Sequence, residues 1–85
     1  MKIKLLFFAR LREQLGVDAE VLELPPGAWT VASLRTHLRS RGAAWAEALA
    51  EGKAVRAAVN QQMAPAEAAV PDGAEVAFFP PVTGG

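Results

Sequence analysis

Hydrophobic and polar positions alternate with period two from Lys2 to Phe8, setting Ile3, Leu5 and Phe7 on one face and Lys4, Leu6 and Phe8 on the other. That spacing predicts a strand, and apolar residues on both faces toward its end suit a central strand partly covered by a helix. Arg10 to Leu15 predicts a short helix that Gly16 lets the chain leave. The next apolar run, AEVLEL, is a second strand, closed by Pro25, Pro26 and Gly27. A modest connection between two strands makes them antiparallel neighbours.

The period then changes. Val31, Leu34 and Leu38 fall three and four apart, an apolar helical stripe that Thr30 is suited to cap. Arg39 and Arg41 come late enough in this main helix to favour its C-terminal carbonyls, and Gly42 is the expected stop. AAWAEALAEG predicts a further short helical segment, with Trp45 and Leu49 one turn apart. VRAAVN returns to period two with Val55, Ala57 and Val59 on one face, and Asn60 to Pro65 holds at most a short edge strand. Asp72 and Gly73 mark a turn before EVAFF, where Val76 and Phe78 alternate with Ala77 and Phe79. Strand, strand, helix, then two or three strands predict an α+β architecture: a mixed sheet packed against one main helix.

The 85 residues allow one small domain, 1–85, with no internal repeat or linker to separate a second core. A hydrophobic content of 52% against 21% charged residues fits a folded chain rather than a disordered one. Nine basic residues balance nine acidic ones, which leaves no broad attraction to nucleic acid or anionic lipid. Cysteine is absent, which excludes disulfides, thiolate metal ligands and a cysteine nucleophile. The basic start is followed by an apolar run too short for a signal peptide or a membrane span, so the expectation is a soluble cytoplasmic protein.

Side-chain chemistry is sparse. No phosphate-binding glycine loop, HExxH helix, EF-hand or CxxC pair occurs in the sequence. His37 is the sole histidine and lacks a local carboxylate or nucleophile, so a structural role outweighs general-base chemistry. Glu13, Glu47 and Glu51 are first of all helix-surface charges.

The unusual chemistry sits at the end, AFFPPVTGG. Phe78 and Phe79 anchor the last strand, while Pro80 and Pro81 bias the following residues toward extended backbone. Residues 80–85 are expected to form a flexible tail, and small terminal residues ordinarily just fray. Yet Gly84 and Gly85 suit a narrow partner groove, and the Gly85 carboxylate is the one backbone carboxylate open to activation without cutting the chain. The opening KIKLLFFARLREQLG, the middle AAVN and above all DGAEVAFFPPVTGG, joined to this strand-helix-strand body, resemble the ubiquitin-like β-grasp sulfur carriers. Within them the chain is most similar to the small subunits of molybdopterin synthase, the MoaD family.

That resemblance implies a ubiquitin-like fold and a reactive tail at Gly84 and Gly85. It also implies partner recognition by Phe8, Arg12, Phe79, Pro80, Pro81, Val82 and Thr83, with Arg12 equally suited to a local salt bridge and Phe79 to the core. In such carriers an adenylating enzyme, MoeB-like, spends ATP to place AMP transiently on the terminal carboxylate, and a sulfur-donating protein converts the adduct to a thiocarboxylate. The tail then enters the large subunit, MoaE-like, and gives sulfur to cyclic pyranopterin monophosphate; no cofactor is permanently bound and no metal is held. Family assemblies are heterotetramers around a large-subunit dimer, and two sulfurs are needed per product. With no P-loop of its own, the chain is expected to be the activated partner. Alternatives on the same tail are a carrier for another pathway, such as thiamin thiazole synthesis, or a ubiquitin-like modifier; a noncatalytic interaction domain is the alternative of a different class.

Overall fold

The computed structural model describes residues 1–81. In chain order the elements are β1 (Lys2–Phe7), α1 (Ala9–Leu15), β2 (Ala19–Glu23), α2 (Val31–Arg39), α3 (Ala43–Ala48), β3 (Arg56–Val59), β4 (Gln62–Ala64) and β5 (Glu75–Phe79). The strands form one mixed sheet in the order β2-β1-β5-β3-β4. The expected antiparallel neighbours are present, with Ile3 opposite Leu22 and Leu5 opposite Glu20. The β1–β5 pair is parallel and central, Leu5 facing Val76 and Phe7 facing Phe78. Together with the main helix on one face, this mixed sheet is the β-grasp arrangement.

Alternation decides what each face of the sheet carries. Ile3, Leu5, Phe7, Ala57, Val76 and Phe78 turn inward and are buried with Val31, Leu34 and Leu38 of α2, and Leu11, Leu24, Ala48, Leu49, Val70 and Ala74 complete the core. Phe7 lies beside Phe78 with ring centroids 6.1 Å apart and meets the edge of Trp45 at 5.5 Å, so one aromatic cluster joins the two central strands to α3.

The helix ends are satisfied in specific ways. Thr30 Oγ1 accepts from the Ser33 amide at 3.1 Å while Ser33 Oγ accepts from the Thr30 amide at 2.9 Å, a reciprocal capping box. The Val31 and Ala32 amides donate to the carbonyls of Ala68 and Ala66, so the 65–70 segment satisfies the free donors of the first turn. Gly16 ends α1 at φ 70, a left-handed position suited to glycine.

Some boundaries fall elsewhere than the pattern predicts. α2 ends at Arg39 rather than at Gly42, because the Ser40 hydroxyl and amide both donate to the His37 carbonyl and close the last turn. Gly42 instead caps the start of α3 at φ 151, where a side chain would be strained. Arg41 therefore lies beyond the helix it was expected to complement. Its guanidinium forms a two-pronged pair with Glu20 of β2, at 2.6 and 2.8 Å, and stacks 4.7 Å above Trp45. Arg39 lies 3.7 Å from the exposed Glu51 carboxylate.

Asn60 and Gln61 both take positive φ, 50 and 69, and join β3 to β4 as a two-residue hairpin. The Asn60 side chain then accepts from the Glu75 amide at 3.0 Å, tying the hairpin to the start of β5. The Asp72–Gly73 turn does the same on the other side: Asp72 Oδ1 accepts from the Lys2 amide at 2.8 Å, and the Gly73 amide donates to the Lys2 carbonyl at 2.7 Å.

Candidate functional site

Because β1 and β5 run parallel, the two central strands finish at the same end of the sheet. Phe7 and Phe78 face inward there, so the next residues, Phe8 and Phe79, fall on the opposite, helix-free face. Phe8 keeps extended backbone at φ −125 and ψ 157, and its amide donates to the Phe78 carbonyl at 3.2 Å. Phe8 is 46% exposed, whereas Phe79 is half-buried outside the core cluster. Phe79 lies in register with Arg56 of β3.

The chain leaves this end twice. After Phe8 it turns sharply into α1, with Ala9 at φ 54, a left-handed conformation costly for a residue with a Cβ. After Phe79 it passes into Pro80 and Pro81, both half-buried. Arg12 stands exposed on α1, the Phe8 carbonyl accepting from its amide at 3.4 Å. Among the described residues its side chain makes no salt bridge. Val82, Thr83, Gly84 and Gly85 lie outside the described residues.

The helix-free face extends away from Phe79 as an apolar row set by register. Leu6 faces Ala77, Ala77 faces Ala58, and Ala58 faces Met63. Met63 is 59% exposed on the edge strand. Sequence reasoning did not single it out, since two glutamines beside it made the segment look polar. The signal was present: a two-residue turn at Asn60–Gln61 pairs Met63 with Ala58 and so assigns its face.

A recess of about 590 Å³ opens on the other side of the exit, walled by α1 (Arg10, Glu13, Gln14) and by Lys53, Ala54 and Val55, with Pro80 and Pro81 along it. His37 lies far from this chemistry in its contacts, meeting Trp29 edge-on at 5.4 Å. Among the described residues no three His, Asp or Glu side chains gather as a metal site, and no helix is long and apolar enough to cross a membrane. The described side chains thus supply an apolar face and an exit path, with no nucleophile-and-base pair beside it.

A β-grasp sheet whose last strand exits beside the end of its first, followed by a diglycine, defines the ubiquitin-like carrier class. The ThiS family model matches residues 5–85, and the chain belongs to that family of ubiquitin-like sulfur carriers. It is 48% identical to the molybdopterin synthase sulfur carrier subunit of Haemophilus influenzae and 49% identical to that of Escherichia coli, in each case over 98% of this chain and 99% of the relative. A solved structure from Pyrococcus furiosus, a candidate molybdopterin converting factor subunit 1, superposes with a TM-score of 0.78 at 33% identity, covering 96% of this chain and 99% of that one.

Proposed function

We propose that this chain is the sulfur-carrier subunit of a molybdopterin synthase, with the Gly85 carboxylate as its reactive group. The observation that carries this reading is the likeness to molybdopterin synthase sulfur carrier subunits across nearly the whole of both chains. The parallel β1–β5 pair supports it, since it sets Phe8 and Phe79 at the end of the sheet from which the C-terminal residues depart.

A carboxylate resists nucleophilic attack because it is anionic and lacks a leaving group. In the proposed cycle a Gly85 carboxylate oxygen attacks the α-phosphate of ATP within a MoeB-like adenylating enzyme, releasing pyrophosphate and forming an acyl-adenylate. Sulfur from a persulfide-bearing donor protein then attacks the acyl carbon and AMP departs; reductive cleavage of the sulfur–sulfur bond by a thiol leaves the thiocarboxylate. Gly84 and Gly85 have no side chains to obstruct a narrow channel, and tethering the sulfur to a docked carrier raises its effective concentration at the acceptor.

The large, MoaE-like subunit docks on the apolar face around Phe8, Phe79 and Met63, with Arg12, Pro80, Pro81, Val82 and Thr83 bordering the contact. There the thiocarboxylate sulfur displaces an oxygen substituent of cyclic pyranopterin monophosphate, which departs as water or as the opened phosphate ester. Hydrolysis of the resulting thioester restores the Gly85 carboxylate and leaves sulfur on the pterin, and a second loaded carrier repeats the transfer to complete the dithiolene. The same reading sets the carrier in the cytoplasm. The test is reconstitution: carrier, adenylating enzyme, ATP, sulfur donor and large subunit are combined with the pterin, and dithiolene product is followed. Product that depends on this carrier supports the assignment, and a loaded carrier that yields none with an active large subunit rejects the destination.

A further inference from the structure

Arg35 of α2 reaches across to the backbone that follows α3. Its Nε donates to the Leu49 carbonyl at 2.8 Å, and its Nη2 donates to the carbonyls of Ala50, at 2.5 Å, and Lys53, at 3.1 Å. Leu49 caps the C-terminal end of α3, where carbonyls lack intrahelical partners and a cation is favoured, and Ala50 and Lys53 belong to the turn after it, which the Lys53 amide closes by donating to the Ala50 carbonyl at 2.9 Å. One guanidinium therefore gathers the 49–53 segment, and its fork geometry allows three carbonyls to be held at once.

That segment leads directly into β3, which runs antiparallel to β5 with Arg56 opposite Phe79. Continued by one and two residues, the same register sets Val55 beside Pro80 and Ala54 beside Pro81, and all four line one recess together with Lys53. Prolines have no amide hydrogen, so Pro80 and Pro81 cannot donate to a continued ladder. The placement of Pro80 and Pro81 then depends on packing against Ala54 and Val55; Val55 is seated on the core, and Arg35 holds the Lys53 carbonyl at the start of this wall.

We propose that Arg35 is a positioning residue for the carrier reaction: by clamping the Leu49, Ala50 and Lys53 carbonyls it steadies the wall against which Pro80 and Pro81 are seated, and so the surface that a processing partner meets beside the reactive terminus. This rests on the sulfur-carrier reading above. Arg35 touches no reacting atom, so it acts on how readily an activating enzyme captures a correctly presented terminus rather than on the chemical step.

The test compares the full chain with Arg35→Lys, which keeps the charge and loses the fork, and Arg35→Gln. Thr30→Ala, which loses the α2 capping box, serves as a variant destabilised away from the exit. Amide exchange at residues 50–56 and steady-state adenylation, with carrier concentration varied well below the unfolding temperature, are measured for each. Both Arg35 variants are expected to exchange faster at 50–56 and to show a KM for the carrier raised roughly tenfold with kcat within about twofold, the pattern of lost positioning. Thr30→Ala is expected to keep the wild-type KM. An unchanged KM in folded Arg35→Gln overturns the proposal, as does unchanged exchange at 50–56 or an equal KM rise in Thr30→Ala. A wild-type chain that is not adenylated at all rejects the sulfur-carrier reading itself, a result distinct from any difference among variants.

Discussion

The Phe8 amide donates to the Phe78 carbonyl at 3.2 Å, one residue beyond the last ladder pair of Phe7 with Phe78. This bond extends the parallel pairing past its last ladder pair, so that Phe8 and Phe79 correspond in register, each following a core phenylalanine and each on the helix-free face. The neighbouring phenylalanines of β5 thereby separate two roles, and substitution can tell them apart.

Phe78→Ala removes a fully buried ring and is expected to cost about 3–5 kcal/mol of stability. Phe79→Ala empties no core site, so its stability loss should be clearly smaller, while affinity for the large subunit falls about tenfold or more. Thermal unfolding and binding calorimetry on both variants check this. Unchanged affinity of Phe79→Ala, with a stability loss matching that of Phe78→Ala, would assign Phe79 to packing instead.

Met63 extends the same face to the edge strand. Met63→Glu sets a charge on an exposed apolar position, so stability should stay within about 0.5 kcal/mol of wild type. Binding to the large subunit should nevertheless weaken markedly, because an unpaired carboxylate would be desolvated in the contact. Calorimetry showing full affinity would remove Met63 from the docking face.

Much of the body is legible in the sequence because its signals are local. The alternation of Ile3, Leu5 and Phe7 sorts core from surface within one strand, and Thr30 marks a helix start by its own side-chain chemistry. Asp72–Gly73 likewise marks a turn that the structure contains. What pattern alone could not supply is long-range: the element order predicts a mixed sheet, but the parallel pairing of β1 with β5 joins opposite ends of the chain, and no local signal marks it. The destination of Arg41 escaped for the same reason, since its partner Glu20 lies 21 residues away on another element. Arg35 was hidden differently, because its partners are backbone carbonyls that every residue possesses.

The Glu20–Arg41 pair makes stability depend on pH in a defined direction. The hydrogen bond from Arg41, aided by its charge and opposed by partial burial, holds the Glu20 carboxyl below the usual carboxylate range. A carboxylate depressed in the folded state contributes its full stabilisation above the unfolded-chain value of about 4.3, and the contribution disappears as pH falls through the lower folded value. Glu20→Gln should therefore cost about 1 kcal/mol at neutral pH, with the difference from wild type closing in strong acid. Denaturant unfolding across this window checks it; a gap that widens as pH falls would contradict the assignment.

Loss of the α2 capping box isolates a purely local contribution. Thr30→Ala should cost about 1 kcal/mol, with Thr30→Ser retaining most of the stability because its hydroxyl still reaches the Ser33 amide. Equal unfolding midpoints for all three chains would show that the box contributes nothing.

The account centres on the terminal carboxylate as the sulfur-bearing group, and intact-mass analysis of the carrier after incubation with adenylating enzyme, ATP and sulfur donor tests it most directly. The native chain should gain the mass that replaces one oxygen by sulfur, localised by fragmentation to Gly85, whereas a chain extended by one residue beyond Gly85 should remain unmodified while keeping its circular dichroism spectrum. Sulfur found on a side chain, or normal loading of the extended chain with trimming excluded, would contradict it.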